Sequence, residues 1–339
     1  MIKRVLKILL GLFIVLCLFN CKSICYGIEQ GVGQLNIVWK AKPLEEYLND
    51  ANYPDSLKSK IKLVEEIKQF AIDSLGIYPS KNYTKMYDQK GKPGMYVVTA
   101  CEPYDLISYQ WSFPIVGEFS YKGFFKEKKA LKEAKSLQQE GYDTDVGEVN
   151  AWSTLGWFKD PVMSSMLDKT EGQLARVLIH ELTHGTIFVK NDVQFNENLA
   201  SFIGDKGALL FLKHKHSEDS EAIKTYLDEL SDLQKIRAHM HKAAGELKKF
   251  YKEKGGLKPE KEKKERIQKI LSDMDTLSLN SFDKVRKMQV LKDTLNNTFF
   301  TDFLMYREDQ KILEKTFNED FGGDFNLYFN YLKEKYTTL

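Results

Sequence analysis

The chain has 339 residues, enough for one large domain or two small ones with an ample core. Its 50 Lys and Arg against 48 Asp and Glu leave a formal net charge of only +2, so composition gives no indication of nucleic-acid binding. Four cysteines are too few and too scattered for a disulfide scaffold or a cysteine metal site, the more so because Cys17 lies in a segment that reads as removable.

That segment is the N-terminus. Lys3, Arg4 and Lys7 precede an uncharged apolar run from Ile8 to Phe19, short for a membrane span and typical of a signal peptide over residues 1–20. Leu18-Phe19-Asn20-Cys21 reads as a loose lipoprotein-processing site with Cys21 as the acylated residue. A plain cleaved signal and an uncleaved anchor are the alternatives. The expectation is an exported protein held at the membrane through a lipid on Cys21, with residues 21–40 as a tether and 41–339 as the folded domain.

Further along, Leu57, Ile61, Val64, Ile67, Phe70, Ala71 and Leu75 follow helical spacing and predict an amphipathic helix over Leu57–Leu75. Tyr83–Tyr87 and Met95–Ala100, separated by Lys90-Gly91-Lys92-Pro93-Gly94, read as a strand pair. Short extended pieces follow over Trp111–Tyr121, then a charged helix over Lys126–Glu140 and a strand over Asp145–Trp152. Together these make a small antiparallel sheet in an α+β part that runs to about residue 160.

The chemistry is concentrated between Glu171 and Ala208. Leu174, Val177, Leu178, Leu182 and Ile187 give a helix buried on one face. His180-Glu181-Leu182-Thr183-His184 on it reads H-E-x-x-H. Residues four apart sit one above the other, so the two imidazoles can bind one Zn²⁺, with Glu181 beside them to act as base toward a water on the metal. A third ligand is needed, and Glu197 is the candidate. It follows His184 by 13 positions, past a turn-forming loop with Asn191 and Asp192, in the first turn of a second helix marked by Phe195, Leu199, Phe202 and Ile203. Ser201, four beyond Glu197, or Asp192 could orient a ligand histidine from behind. The active-site helices are placed at 165–215.

Residues 216–339 read as helical. Ile223–Tyr251 and Lys261–Leu279 flank Lys254-Gly255-Gly256 as an antiparallel hairpin, with His239 and His241 on a solvated face rather than in a second metal site. One long helix is predicted over Met288–Phe317, followed by a tail in which Phe325, Tyr328, Phe329 and Leu332 fall at helical spacing.

The run HELTHGTIFVKNDVQFNENLASFIGDKGA resembles the core of a bacterial family of predicted aminopeptidases, exported zinc proteins. Ser153-Thr154-Leu155-Gly156-Trp157-Phe158-Lys159-Asp160-Pro161, Trp111-Ser112-Phe113-Pro114 and Tyr121-Lys122-Gly123-Phe124-Phe125 resemble further blocks of it. The arrangement of the zinc residues is similar to that of gluzincin peptidases, although the 13-residue step to Glu197 is short for that group. The resemblance implies an α+β, predominantly helical fold with a gluzincin-like zinc-peptidase core, and hydrolysis of peptides, most specifically as an aminopeptidase. It also implies that Val149–Leu155 could hold an extended substrate by backbone pairing, the same residues reading equally well as core. Tyr306, in the Leu295-Asn296-Asn297 block and its continuation, becomes the candidate donor to the developing oxyanion, against the alternative of a packed core tyrosine. An exopeptidase also needs a carboxylate for the substrate amine; Glu118 and Glu148 could serve, and the sequence does not choose between them. Two rival classes remain at this point. One is a non-catalytic or vestigial metal-binding lipoprotein, against which the intact Glu181 argues. The other is a di-metal helical bundle, which would need E-x-x-H pairs on several helices.

Overall fold

A computed structural model describes residues 21–113, 117–149, 159–190, 192–281, 294–305 and 308–336. The elements run α1 (Cys21–Lys40), β1 (Lys42–Pro43), α2 (Leu44–Asn49), α3 (Asp55–Asp73), β2 (Lys85–Tyr87), β3 (Met95–Cys101), β4 (Trp111–Phe113), β5 (Gly117–Phe119), β6 (Tyr121–Phe124), α4 (Glu127–Gln139), β7 (Asp143–Val149) and β8 (Val162–Met163). There follow α5 (Glu171–His184), α6 (Val193–Lys215), α7 (Glu221–Lys254), α8 (Glu260–Asp273), α9 (Asn297–Met305), α10 (Glu308–Glu319) and α11 (Phe325–Lys335). The protein is mainly helical with small sheets, the α+β organisation expected.

The largest core is built on α3, α5, α6 and α11. Ile61, Val64 and Ile67 of α3 meet Leu174, Leu178 and Ile179 of α5, Leu199 and Ile203 of α6, and Tyr328 and Phe329 of α11, all of them buried. Each such aliphatic or aromatic side chain contributes about 1.5–3 kcal/mol on leaving water. The apolar spacing that predicts α3 is thus the face turned to this core. The helix stops where Gly76, at φ +73°, lets the Ile77 N–H return to the Ala71 carbonyl at 3.1 Å.

The principal sheet is antiparallel, in the order β6-β3-β7, with Val97 opposite Gly123 and Val98 opposite Val146. Ala130, Ala134 and Leu137 of α4 cover one face of it, over Val98, Ala100, Trp111 and Phe124. The predicted pairing of Tyr83–Tyr87 with Met95–Ala100 does not form. β2 instead lies between β1, antiparallel, and β8, parallel, in a separate sheet. Gln89 explains the diversion: its N–H donates to Ser164 Oγ at 2.9 Å, its Oε1 accepts from the Ser165 N–H at 3.0 Å, and its Nε2 donates to the Lys92 carbonyl at 3.1 Å. The loop is tied to the segment after β8 and cannot close a two-strand hairpin.

The C-terminal half contains the expected α7–α8 hairpin, broken at Gly255 in the left-handed region at φ +57°. Met240, Ala244 and Leu247 of α7 pack with Ile267 and Leu271 of α8 and Phe300 of α9 in a second core. His239 Nε2 donates to the Ile270 carbonyl at 2.9 Å, and His241 is exposed. The single helix predicted over Met288–Phe317 is replaced by α9 and α10. Residues 294–296 are not helical, because Asn296 Oδ1 accepts from the Thr298 N–H at 3.0 Å and so starts a new helix there.

One buried polar node joins this half to the sheet. Lys263 of α8 is buried and its Nζ lies 2.8 and 2.6 Å from the two oxygens of Asp143 on β7. Asp143 also accepts from the Asn297 N–H at 3.0 Å. The Asn297 side chain accepts from Tyr251 Oη at 2.7 Å and donates to the carbonyls of Glu102, Pro103 and Asp105. Leu295-Asn296-Asn297 therefore earns its specificity as a structural joint. Removing one partner of a buried pair strands the other charge, so Lys263→Met should cost about 3–5 kcal/mol in urea denaturation. Adding Asp143→Asn should recover part of that loss; a single-variant cost below about 1 kcal/mol would mean that the pair behaves like a surface one.

Candidate metal centre

Helix α5 begins at Thr170, whose Oγ1 accepts from the Gln173 N–H at 3.3 Å. Its buried face, Leu174, Ala175, Leu178, Ile179 and Leu182, fixes its rotation about its own axis. His180 and His184 then emerge one turn apart on one side, with ring centroids 5.0 Å apart and planes at 85°.

The second helix is brought back by a short loop held at both ends. Asp192 Oδ1 caps α6 by accepting from the Phe195 N–H at 3.0 Å. Buried Asn196 grips the backbone of Val189 twice: its Oδ1 accepts from the Val189 N–H and its Nδ2 donates to the Val189 carbonyl, both at 2.8 Å. Glu197 comes next in the chain. Because α6 starts at Val193, Glu197 is its fifth residue and opens its second turn, not its first. The two helices approach so closely that a Cβ on Gly204 would lie 2.8 Å from the Arg176 carbonyl oxygen and 3.2 Å from His180 Cβ. That carbonyl is the one an α-helix pairs with the His180 N–H. Arg176 and Asp205 form an ion pair across the same crossing.

These constraints bring His180, His184 and Glu197 together, with one possible ligand atom from each within 4.8 Å of the others. His180 Nε2 lies 3.3 Å from Glu197 Oε2, and His184 Nε2 lies 3.5 Å from Glu197 Oε1. Ligands about 2.0–2.2 Å from a tetrahedral centre are about 3.4 Å apart, so the spacing suits a small four-coordinate cation. The group could hold a metal ion. Ser201 Oγ lies 3.4 Å from His180 Nδ1, the place for a residue that orients the ring from behind, while the Asp192 carboxylate is occupied as the cap of α6.

The electrostatics fit the same use. Burial, with a smaller effect of His180, lowers His184 to about 4, so its imidazole is neutral and has a lone pair to give at neutral pH. Burial alone would raise Glu197, but the hydrogen bond from His180 and the two imidazoles outweigh it and hold the carboxyl below its ordinary value. Burial pushes Glu181 up to about 7, with the charges of Glu197 and Asp160 adding and His180 opposing. A divalent cation beside it would pull the other way, toward the carboxylate.

The structure adds residues to this neighbourhood that sequence reasoning did not single out as site residues. Tyr83 is buried with its hydroxyl raised by burial and by Glu181, and its backbone is left-handed at φ +59°, uncommon for a non-glycine. Its N–H donates to the Asp160 carbonyl at 2.7 Å, and the Asp160 N–H donates to Asn82 Oδ1 at 3.2 Å. Asp160 and Tyr121 each stand in a block that resembles the family, without a role being legible there. Tyr121 on β6 keeps 43% of its surface exposed, and its hydroxyl is raised by partial desolvation and by the charge of Glu197, so it lies within electrostatic reach of that carboxylate. Tyr306 and residues 150–155 of the proposed substrate strand lie outside the described residues; Val149 ends β7. Glu118 is exposed on β5, and Glu148 lines an open cleft with Tyr53, Leu57, Gln89, Ser164 and Asp168.

Residues 25–337 match a family model described as “Putative aminopeptidase”. No curated protein and no solved structure matches the chain.

The helix crossing generates a test. Gly204→Ala forces α5 and α6 apart by several tenths of an ångström at His180, and should cost about 1–3 kcal/mol of stability. Metal affinity should fall about tenfold, equivalent to about 1.4 kcal/mol, in a chelator competition. Gly245→Ala on α7, where a Cβ meets open space, is the control and should be neutral or stabilising by about 0.5–1 kcal/mol.

Proposed function

The chain belongs to the aminopeptidase family whose model covers residues 25–337, and from that premise we propose that it is a zinc-dependent peptide hydrolase. The observation that carries the proposal is the convergence of His180, His184 and Glu197 with Glu181 alongside. Two neutral-type nitrogen donors and one carboxylate match the donor set of catalytic zinc, which leaves a fourth position open. A gluzincin-like core is part of the same reading. When bound, the ion supplies Lewis acidity to the scissile carbonyl and makes water a better nucleophile at neutral pH.

The chain's own residues do the rest. Glu181 takes a proton from the attacking water and passes it to the departing amine, so that no free amide anion has to leave. Its burial favours holding that proton, while a cation beside it would favour the carboxylate that accepts it. Ser201 and the close contact at Gly204 hold His180 in place. Two tyrosines are candidates to donate to the oxygen that gains charge: Tyr306, from the family resemblance, and Tyr121, whose hydroxyl feels the charge of Glu197. Release of N-terminal residues in particular follows from the family and not from a recognisable amine-binding carboxylate. Export and a lipid on Cys21 complete the proposal, placing the hydrolase at a membrane.

Three variants separate the roles. Glu197→Gln should lose its metal, since a neutral amide is a poor third ligand. Glu181→Gln should keep one metal ion per chain and lose about two to four orders of magnitude in peptide hydrolysis. Of Tyr121→Phe and Tyr306→Phe, the true donor should lose kcat with little change in KM. A wild-type protein that holds zinc yet cleaves nothing in a broad peptide library would instead be a metal-binding module. Separately, a fatty-acid analogue should label the wild type in cells and leave Cys21→Ser unlabelled; equal labelling of both removes the lipid from Cys21.

A further inference from the structure

Helix α1 has two faces of different character. One is packed on the protein. Tyr26 Oη and Gln30 Nε2 donate to the Gly123 carbonyl at 2.9 and 3.1 Å, Gly33 lies against the Phe125 ring, and Ile37 is buried. Tyr26 also stacks on Phe113 at 5.5 Å. The other face is apolar and open to solvent: Ile24 is 38% exposed, Ile28 62%, Val32 61% and Trp39 78%, with half-buried Leu35 among them.

At about 100° per residue, Ile24, Ile28, Val32, Leu35 and Trp39 fall within about 80° of one another, and the packed residues are centred on the opposite side. The stripe is about 22 Å long. Glu29 is the only charged residue between Ile24 and Trp39, and it is turned aside to pair with Lys129 and, at 3.9 Å, Lys126. Such a stripe is unusual on a surface that meets only water.

We infer that this face of α1 lies in the plane of a membrane, sunk into the headgroup and upper acyl region of a lipid bilayer. Three observations select lipid as the occupant. The apolar run Ile8–Phe19 lies directly ahead of α1, so the start of this helix is brought to a membrane either by that run as a retained anchor or by the lipid left on Cys21 when it is removed. Lys40, Lys42, Lys90 and Lys92 line one open cleft with Asp88 at the C-terminal end of α1, where anionic headgroups would be met. Trp39, the exposed residue just before Lys40 in the chain, carries an indole with an apolar body and one N–H, which favours the water–lipid boundary. No helix among the described residues is long and apolar enough to cross a membrane, and α1 has one face committed to the protein, so it lies on the bilayer. The inference does not use the peptidase reading.

The test uses the full chain and vesicles of equal parts phosphatidylcholine and phosphatidylglycerol, with or without bromines on the acyl chains. The emission of Trp39 is taken as the difference between wild type and Trp39→Phe. All variants should float with the vesicles, and the Trp39 component should be quenched about twofold or more by brominated lipid. The double variant Ile28→Ser/Val32→Ser changes only exposed positions and should abolish most of that quenching. Equal quenching of wild type and Trp39→Phe, or failure to float, overturns the inference. So does a vesicle-free protein that forms a concentration-dependent dimer with Trp39 shielded from aqueous iodide, because the face would then be a contact between copies. Since hydrolysis is not measured, the outcome is independent of the zinc chemistry.

Discussion

At Gly204 the backbones of α5 and α6 meet with no room for a side chain, and the centre depends on that contact. A hydrogen in place of a methyl lets α6 rest on the Arg176 carbonyl, which lies in the same turn as His180. Gly207 repeats the arrangement one turn on, where a Cβ would lie 2.9 Å from Leu75 and 3.0 Å from Ile179. The ridge of Ala200, Ser201, Gly204, Gly207 and Ala208 is therefore a matching surface for α5. Glu197, one turn ahead of Ser201, can reach two imidazoles only because the helix axes are this close. The Asn196 grip on Val189 sets the same distance from the loop side, which is why a 13-residue step suffices.

The polar interior follows from that proximity. A neutral His184 and a Glu197 held below its ordinary pKa mean that these two ligands have no proton to surrender at neutral pH. A cation would then meet charges that already stand as it needs them, in contrast to sites that must shed protons on loading. Glu181 is in the opposite condition, since burial favours its protonated form and Glu197 and Asp160 add to that. Glu181 and Glu197 thus place two carboxylates beside two imidazoles, a set of charges that a divalent cation would balance.

How much of this was legible depended on how local each signal was. His180, Glu181 and His184 could be read because helical spacing alone places them, and Glu197 because the loop is too short to send it elsewhere. Helices α3, α4, α7 and α8 announced themselves by apolar periodicity. The pairing of β2 was misread because its partner is set by Gln89 bonding to Ser164 and Ser165, some seventy-five positions away, and no pattern within the strand encodes it. Gly204 looked like any helical glycine until its neighbour was known. Tyr83 and Asp160 reach Glu181 through tertiary folding, and the left-handed backbone at Tyr83 has no sequence signature. The boundary before α9 was in the sequence, since Asn296 and Thr298 form a cap, but the longer apolar period around it masked the signal.

The joint at Asp143 carries a consequence for how the protein is made. Its partners lie 120 and 154 positions further along the chain, at Lys263 and Asn297. A ribosome adding about 5–20 residues per second takes about 8–30 s to bring Asn297 out after Asp143. Until Lys263 is made the start of β7 carries an unpaired acid, and until Asn297 is made the carbonyls of the Glu102–Asp105 turn beside it still await their donor. Pairings this distant in sequence also close slowly once both partners exist. The joint at this edge thus stays open until the C-terminal helices have been synthesised, and the nascent chain needs protection there in the meantime.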